Sequence, residues 1–171
     1  MLLNRQEIEK LIKEKGLISD YINLDIQLAP NGFDLTVGSV FEFTGPGALD
    51  FSNKERIIPE TKEILPEKKE RDKFGWWNLK EGAYKIRSNE VVNLPKDLAA
   101  IAFSRSSLLR MGVFAQNAVW DAGFRGKSEF ILVVNNPQGL MLKQNARVIQ
   151  LLFIRINETS HGYQGIYQEI Q

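Results

Sequence analysis

An all-β fold is what this sequence predicts: a distorted antiparallel jelly roll with one short N-terminal helix. Three observations carry the prediction. Apolar and polar residues alternate through "FDLTVGSVFEF" and "KSEFILVVNN", the two-residue period of strands that bury one face. Turn signals such as Asn31–Gly32 cut the chain into roughly ten or more short strands. Beyond the first sixteen residues, no stretch sustains a helical period over the length of an ordinary helix. Many short strands without long helices call for a closed or sandwiched sheet.

The helix is read at Asn4–Gly16. Asn4 and Glu7 form a capping box, Gly16 is a natural terminator, and Ile8, Leu11 and Ile12 make one apolar stripe that needs a larger body to pack on. "INLDIQLAP" and the run that starts at Phe33 alternate as strands on either side of the Asn31–Gly32 turn. Residues 45–73 hold Pro46, Pro59 and Pro66 among dense charge. They read as an exposed loop or arm, with "ERIIPE" and "KEILPE" as alternative short edge strands. "KSEFILVVNN" supplies one further strand and "GLMLKQNARVIQLLFIRI" two. The whole is expected to be a single domain over 1–171, with a flexible C-terminal arm at 158–171.

Composition narrows the chemistry. The 171 residues contain no cysteine and one histidine, His161, which excludes thiolate chemistry and all but excludes an intrachain serine–histidine triad or an imidazole-built metal site. A formal charge of +1 gives no bulk attraction to nucleic acid or to an acidic membrane. No apolar run reaches membrane-spanning length, and the N-terminus is charged where a signal peptide is apolar, so a soluble cytoplasmic protein is expected.

Four segments have the residue types of a binding site. In "SRSSLLRMG", Arg105, Ser106, Ser107 and Arg110 offer guanidinium forks and hydroxyls that match phosphate oxygens. The alternative is a turn capped by Ser104, with both leucines buried and both arginines in solvent. In "NAVWDAGFRGK", Gly123 and Gly126 allow a sharp turn or a close approach, and Phe124 offers a face to a sugar or ring. Asp121 there is either a general base for water or the first residue of an ordinary Asx turn. Gln150, a neutral amide among β-formers, ties strands together or reaches a ligand oxygen, while Arg147 falls on the opposite face of a regular strand. The tail "HGYQGIYQEIQ" reads as a closing arm, an exchanged strand or a disordered end.

Taken together, "APNGFDLTVG", "RSSLLRMG", "VWDAGFRGK", "NARVIQLLF" and "GYQGIYQ" resemble the superfamily of trimeric deoxyuridine triphosphatases and deoxycytidine triphosphate deaminases. The leading helix, the "LLR" after the paired serines and the "YQGIYQ" ending resemble its deaminase branch, to which many archaeal triphosphatases belong. The resemblance implies a jelly-roll homotrimer with nucleotide sites at subunit interfaces and Mg²⁺ held mainly by the substrate phosphates. It implies phosphate contacts from Arg105, Ser106, Ser107, Arg110 and Gln150. Base and sugar contacts would come from Gln116, Asn117, Ala118, Val119 and Phe124, and a closing arm from Tyr163, Tyr167 and Gln168. Asp121 would activate the attacking water. Asp34, in the first of these motifs, would have a structural or metal-proximal role.

One departure bears on the reaction. Members that deaminate carry a glutamate ten positions after the aspartate that matches Asp121, and here that position is Ile131. The nearest acid, Glu129, is displaced by about 6.6 Å along a regular strand, out of reach unless a bulge resets the register. Deamination needs a group that shuttles protons, whereas pyrophosphate release needs an activated water and a clamped triphosphate. The expected activity is therefore hydrolysis of dUTP to dUMP and pyrophosphate. The alternatives are dCTP deamination, alone or with dUTP hydrolysis, and non-catalytic nucleotide binding in a regulatory or interaction protein. A second departure, no glycine in "KQNARV" before the strand, is met by Asn145, which tolerates left-handed geometry.

Overall fold

The computed structural model describes residues 1–170. Helix α1 (Arg5–Lys15) forms as its caps dictate: Asn4 and Glu7 exchange side chain-to-backbone hydrogen bonds, and Gly16 ends the helix at φ 64°. Leu3, Ile8 and Ile12 are buried against the sheet.

The principal sheet runs in the order β7 (Leu98–Ser104), β11 (Arg147–Arg155), β3 (Gly32–Phe43), β6 (Gly82–Asn93), β9 (Arg125–Val134), β8 (Val113–Gln116). Every pairing is antiparallel. Short strands β1 (Ile18–Ser19), β2 (Leu28–Ala29) and β4 (Thr61–Ile64) pair with β6, β3 and β3, while β5 (Trp76–Leu79) and β10 (Leu140–Lys143) form a separate pair. The two ends of the path come together. Ser104 Oγ donates to the Ala115 carbonyl (3.1 Å) and accepts from its amide (2.8 Å), tying β7 to β8. The sheet therefore curls into a nearly closed barrel of the expected jelly-roll kind, filled by Phe33, Leu35, Ile86, Leu132 and Phe153.

The expected strand over "INLDIQLAP" is corrected: Leu24–Gln27 is a single helical turn, α2, and only Leu28–Ala29 is extended. Local hydrogen bonds outweigh the alternating pattern. Asn23 caps the Ile26 amide, and Gln27 Oε1 accepts from the Ile22 and Asn23 amides. Within 45–73 the structure has the edge strand β4 and two isolated bridges, Ala48–Ile57 and Glu67–Trp76, with loops between them.

Candidate active site

Trp120 anchors the loop that carries Asp121. It is buried, exchanges two backbone hydrogen bonds of 2.9 Å with Ala100 on β7, and donates its indole N–H to Ser128 Oγ at 2.9 Å. The next residue, Asp121, is thereby delivered to the surface. The turn that follows is closed by the backbone, Phe124 N–H to Asp121 C=O at 3.1 Å, and no described residue donates to the Asp121 carboxylate. The Asx-turn reading fails, and the carboxylate is free at the rim of a cleft of about 330 Å³. Ala118, Val119, Phe124, Tyr163 and Tyr167 line the same cleft, with Lys127 and Ile170 from its walls.

The C-terminal segment lies along this cleft on its own chain. Tyr163 N–H donates to Ala122 C=O (2.8 Å), Glu169 N–H to Arg125 C=O (2.7 Å), and Lys127 N–H to Ile170 C=O (2.8 Å). Gln168 bridges the Arg125 amide and the Gly123 carbonyl with its side-chain amide, so it fastens the segment rather than lining the cleft. Tyr163 packs edge-on against Phe124 at 5.7 Å between ring centroids. Gly123 has φ 83°, and a Cβ there would stand 2.8 Å from Gly162 Cα; only glycine admits this approach.

A second group of residues gathers beyond β7. Helix α3 (Ser106–Arg110) begins at Arg105, which makes no side-chain cap. Ser104 is engaged with β8, so the capped-turn alternative does not hold, and the hydroxyls of Ser106 and Ser107 have no partner among the described residues. Leu108 is 5% exposed but Leu109 59%, so only one leucine is core. Arg105 Nε stands 3.2 Å from Asp34 Oδ2. Burial pushes the Asp34 carboxyl above its ordinary range, with Arg105 and Arg147 pulling it back. Gln150 sits between Asp34 and Phe103 on the neighbouring strands, and its side chain bonds to neither. Arg110 is exposed.

Arg147 requires a correction. The register of β11 against β3 shifts between Arg147 and Ile149, and Val148 and Ile149 are consecutively buried. This bulge turns Arg147 onto the face of Asp34, whose Oδ2 it meets at 3.1 Å. Alternation alone hides the residue, and no local signal in "NARVIQ" marks the bulge.

Gln116 and Asn117 lie with Phe103, Leu109, Phe114, Ala118 and Val119 along a groove of about 470 Å³ between β7 and β8. Ala118 and Val119 are shared with the Asp121 cleft. Ile131 pairs with Gln116 on one side and Lys85 on the other, and β9 keeps unbroken register against β6 from Glu129 to Val134. The register is thus not reset. Glu129 accepts from Arg87 Nε and Nη2 (3.0 and 2.9 Å) and stands 3.3 Å from Lys85 Nζ.

The chain thus brings the Asp121 set together and, separately, the Arg105 set. Trp120 stands beside Ala100, and Arg105 lies five residues on, just past the end of β7, about 17 Å away at the rise of a strand.

Comparison with known proteins shows the family of the chain. The sequence pattern of the family described as dCTP deaminase-like matches residues 2–156. The chain belongs to this family. Among curated relatives, the probable deoxyuridine 5′-triphosphate nucleotidohydrolase of Methanosarcina mazei is 48% identical over 169 residues, covering 98% of this chain and 96% of the relative. That of Archaeoglobus fulgidus is 46% identical over 167 residues, covering 98% and 95%. The deoxyuridine 5′-triphosphate nucleotidohydrolase of Methanocaldococcus jannaschii is 36% identical over 142 residues, covering 83% and 87%. In fold, the chain resembles the 2′-deoxycytidine 5′-triphosphate deaminase of Agrobacterium tumefaciens, with a TM-score of 0.63 at 22% identity over 91% of this chain; it spans about half (48%) of that longer chain. Among the described residues no helix is long and apolar enough to cross a membrane.

Proposed function

We propose that this enzyme hydrolyses dUTP to dUMP and pyrophosphate, as the names of its curated relatives state for them. The observation that carries the choice over deamination is the state of the two acids at the cleft. Asp121 is unpartnered, whereas Glu129 is held by Arg87 and Lys85 in unshifted register and Ile131 fills the position where a proton shuttle would stand.

In this reading Asp121 accepts the proton of a water as its oxygen adds to the α-phosphorus, the α–β bridging P–O bond breaks, and pyrophosphate leaves. Arg105, Ser106, Ser107, Arg110 and Gln150 bind the phosphate chain, and their N–H and O–H groups oppose the charge that grows on the leaving group. Phe124 packs under the deoxyribose, and Gln116, Asn117, Ala118 and Val119 read the base edge. Tyr163 and Tyr167, fastened by Gln168, exclude water from the cleft. Mg²⁺ bound to the phosphates would neutralise charge on the pyrophosphate. The donor set fits that mode, because the guanidiniums of Arg105 and Arg110 and the hydroxyls of Ser106 and Ser107 match phosphate oxygens rather than a cation.

The separation of the two sets supports a homotrimer in which the Arg105 set of one subunit meets the Asp121 cleft of another. The exposed apolar side chains Phe103, Leu109, Phe114 and Val119 support it too, since they lie along the groove that joins the two sets. The test is to incubate the protein with dUTP or dCTP in Mg²⁺ and separate the products by anion exchange. Conversion of dUTP to dUMP with no deoxyuridine nucleotide from dCTP is expected. Ammonia release from dCTP would overturn the reading.

A further inference from the structure

Two serines and a tryptophan form a buried polar chain beneath the Asp121 loop. Where β6 meets β9, Arg87 pairs with Glu129 and Val91 with Lys127, so residues 88–90 stand opposite Ser128 alone. The bulge breaks the ladder at the Ser128 amide, which donates instead to Ser88 Oγ at 3.0 Å. Ser88 Oγ in turn donates to the Glu90 carbonyl at 2.9 Å. The Glu90 carboxylate accepts from the Thr36 amide at 2.9 Å and from Gln27 Nε2 at 2.7 Å. Ser88, Glu90 and Ser128 are all buried, so the bulge is pinned from inside the barrel and Ser128 is pinned to the bulge.

The Trp120 indole ends this chain, its N–H on Ser128 Oγ at 2.9 Å. The Trp120 backbone meets β7 only through its bridge to Ala100. On the far side of the loop, Leu94 accepts from the Gly123 amide at 3.1 Å and donates to the Phe124 carbonyl at 2.8 Å. Asp121 lies between these two holds. One bridge leaves the loop able to pivot about it, and the indole, anchored on β9, stops the pivot. A purely structural contact does not need this bond, because apolar groups of the same shape in place of both partners cost little stability. What the polar pair adds is direction, since a hydrogen bond fixes both a distance and an angle. A general base requires that precision: a misplacement of about 1 Å costs on the order of a hundredfold in rate.

We propose that Ser128, acting through the Trp120 indole, is a positioning residue for Asp121; this rests on the dUTP reading above. The test measures kcat for dUTP in Mg²⁺. It also measures, by titration calorimetry, the Kd of dUTP carrying an imido bridge between its α and β phosphates. Ser128→Ala removes the acceptor, and its kcat is expected to fall about ten- to a hundredfold while the analogue's Kd stays within about twofold. Trp120→Phe deletes the donor and keeps a ring. It is expected to lose a similar factor, and the two changes together no more than either alone, because they break one bond. The decisive background is Asp121→Asn, in which Ser128→Ala is expected to alter the residual kcat by less than about twofold, the group it positions no longer taking a proton. A parental kcat in Ser128→Ala overturns the assignment and leaves the dUTP reading standing. A further loss of about tenfold in the Asp121→Asn background does the same, as does a Kd that weakens in step with kcat, because each marks a general structural role. Should Ser128→Ala fail to fold, Trp120→Phe is judged by the same outcomes. A parent that releases no dUMP from dUTP overturns both proposals before any variant is needed.

Discussion

A carboxylate becomes a general base when its lone pairs are free to take a proton, and the Asp121 side chain has been left free. The backbone closes its turn, and Trp120 holds the loop through Ala100 and Ser128. Asp121→Asn preserves these constraints and can still hold a water by hydrogen bonds, but the amide does not accept its proton. Turnover of dUTP is expected to fall about a hundredfold or more, the usual worth of a positioned base, while nucleotide Kd moves little. Steady-state kinetics with calorimetric binding check this; parental turnover in the asparagine variant would remove Asp121 from the mechanism. Glu129→Gln is the matched control. Its carboxylate is occupied by Arg87 and Lys85, so dUTP turnover should stay near the parent's.

At the scale of elements, the C-terminal segment and the Asp121 turn are built for each other. The segment adds backbone hydrogen bonds to Ala122, Arg125 and Lys127, and Gly123 leaves the space it needs. Gly123→Ala would push a methyl group to 2.8 Å from Gly162 Cα and place a side chain at φ 83°. The backbone penalty is about 1 kcal/mol, and the clash falls on the segment's own backbone, which must move away. The expected result is faster limited proteolysis within 160–170 and a raised KM for dUTP, with the barrel's thermal transition nearly unchanged. A variant as protease-resistant as the parent would show that the segment seats without this glycine.

At the scale of the molecule, a strand's length separates the Asp121 cleft from the Arg105 set, and the nearly closed barrel does not fold one onto the other. Light scattering should report about three times 19.5 kDa. A mixing experiment asks more. Arg105→Ala and Asp121→Asn should each be nearly inactive alone, but co-refolded in equal amounts they should regain about a quarter of parental activity. That is the random fraction of interfaces that unite an intact Arg105 with an intact Asp121 in a cyclic trimer. No recovery from the mixture would mean that each site is made within one chain.

Much of this protein was legible in its residues because the governing interactions are local or periodic. The capping box of α1 acts over three residues, the alternation of β9 needs only a buried face, and the Ser–Ser and Asp–Ala–Gly segments mark candidate chemistry by residue type. What the sequence left open turned on contacts between distant segments. Whether Ser104 caps a turn depended on Ala115 across the barrel seam, and whether Glu129 is free depended on Arg87 and Lys85 on β6. "INLDIQLAP" alternates like a strand, yet Gln27 becomes a buried keystone because Glu90, sixty-three residues away, accepts from it. Arg147 changed face because a bulge in β11 added one residue to the count, and a bulge is selected by the pairing of two strands rather than by the residues of one. Residue type and period determined the strands and the candidate chemistry; register and long-range hydrogen bonds, which exist only once strands pair, decided which groups stand together and which are free to react.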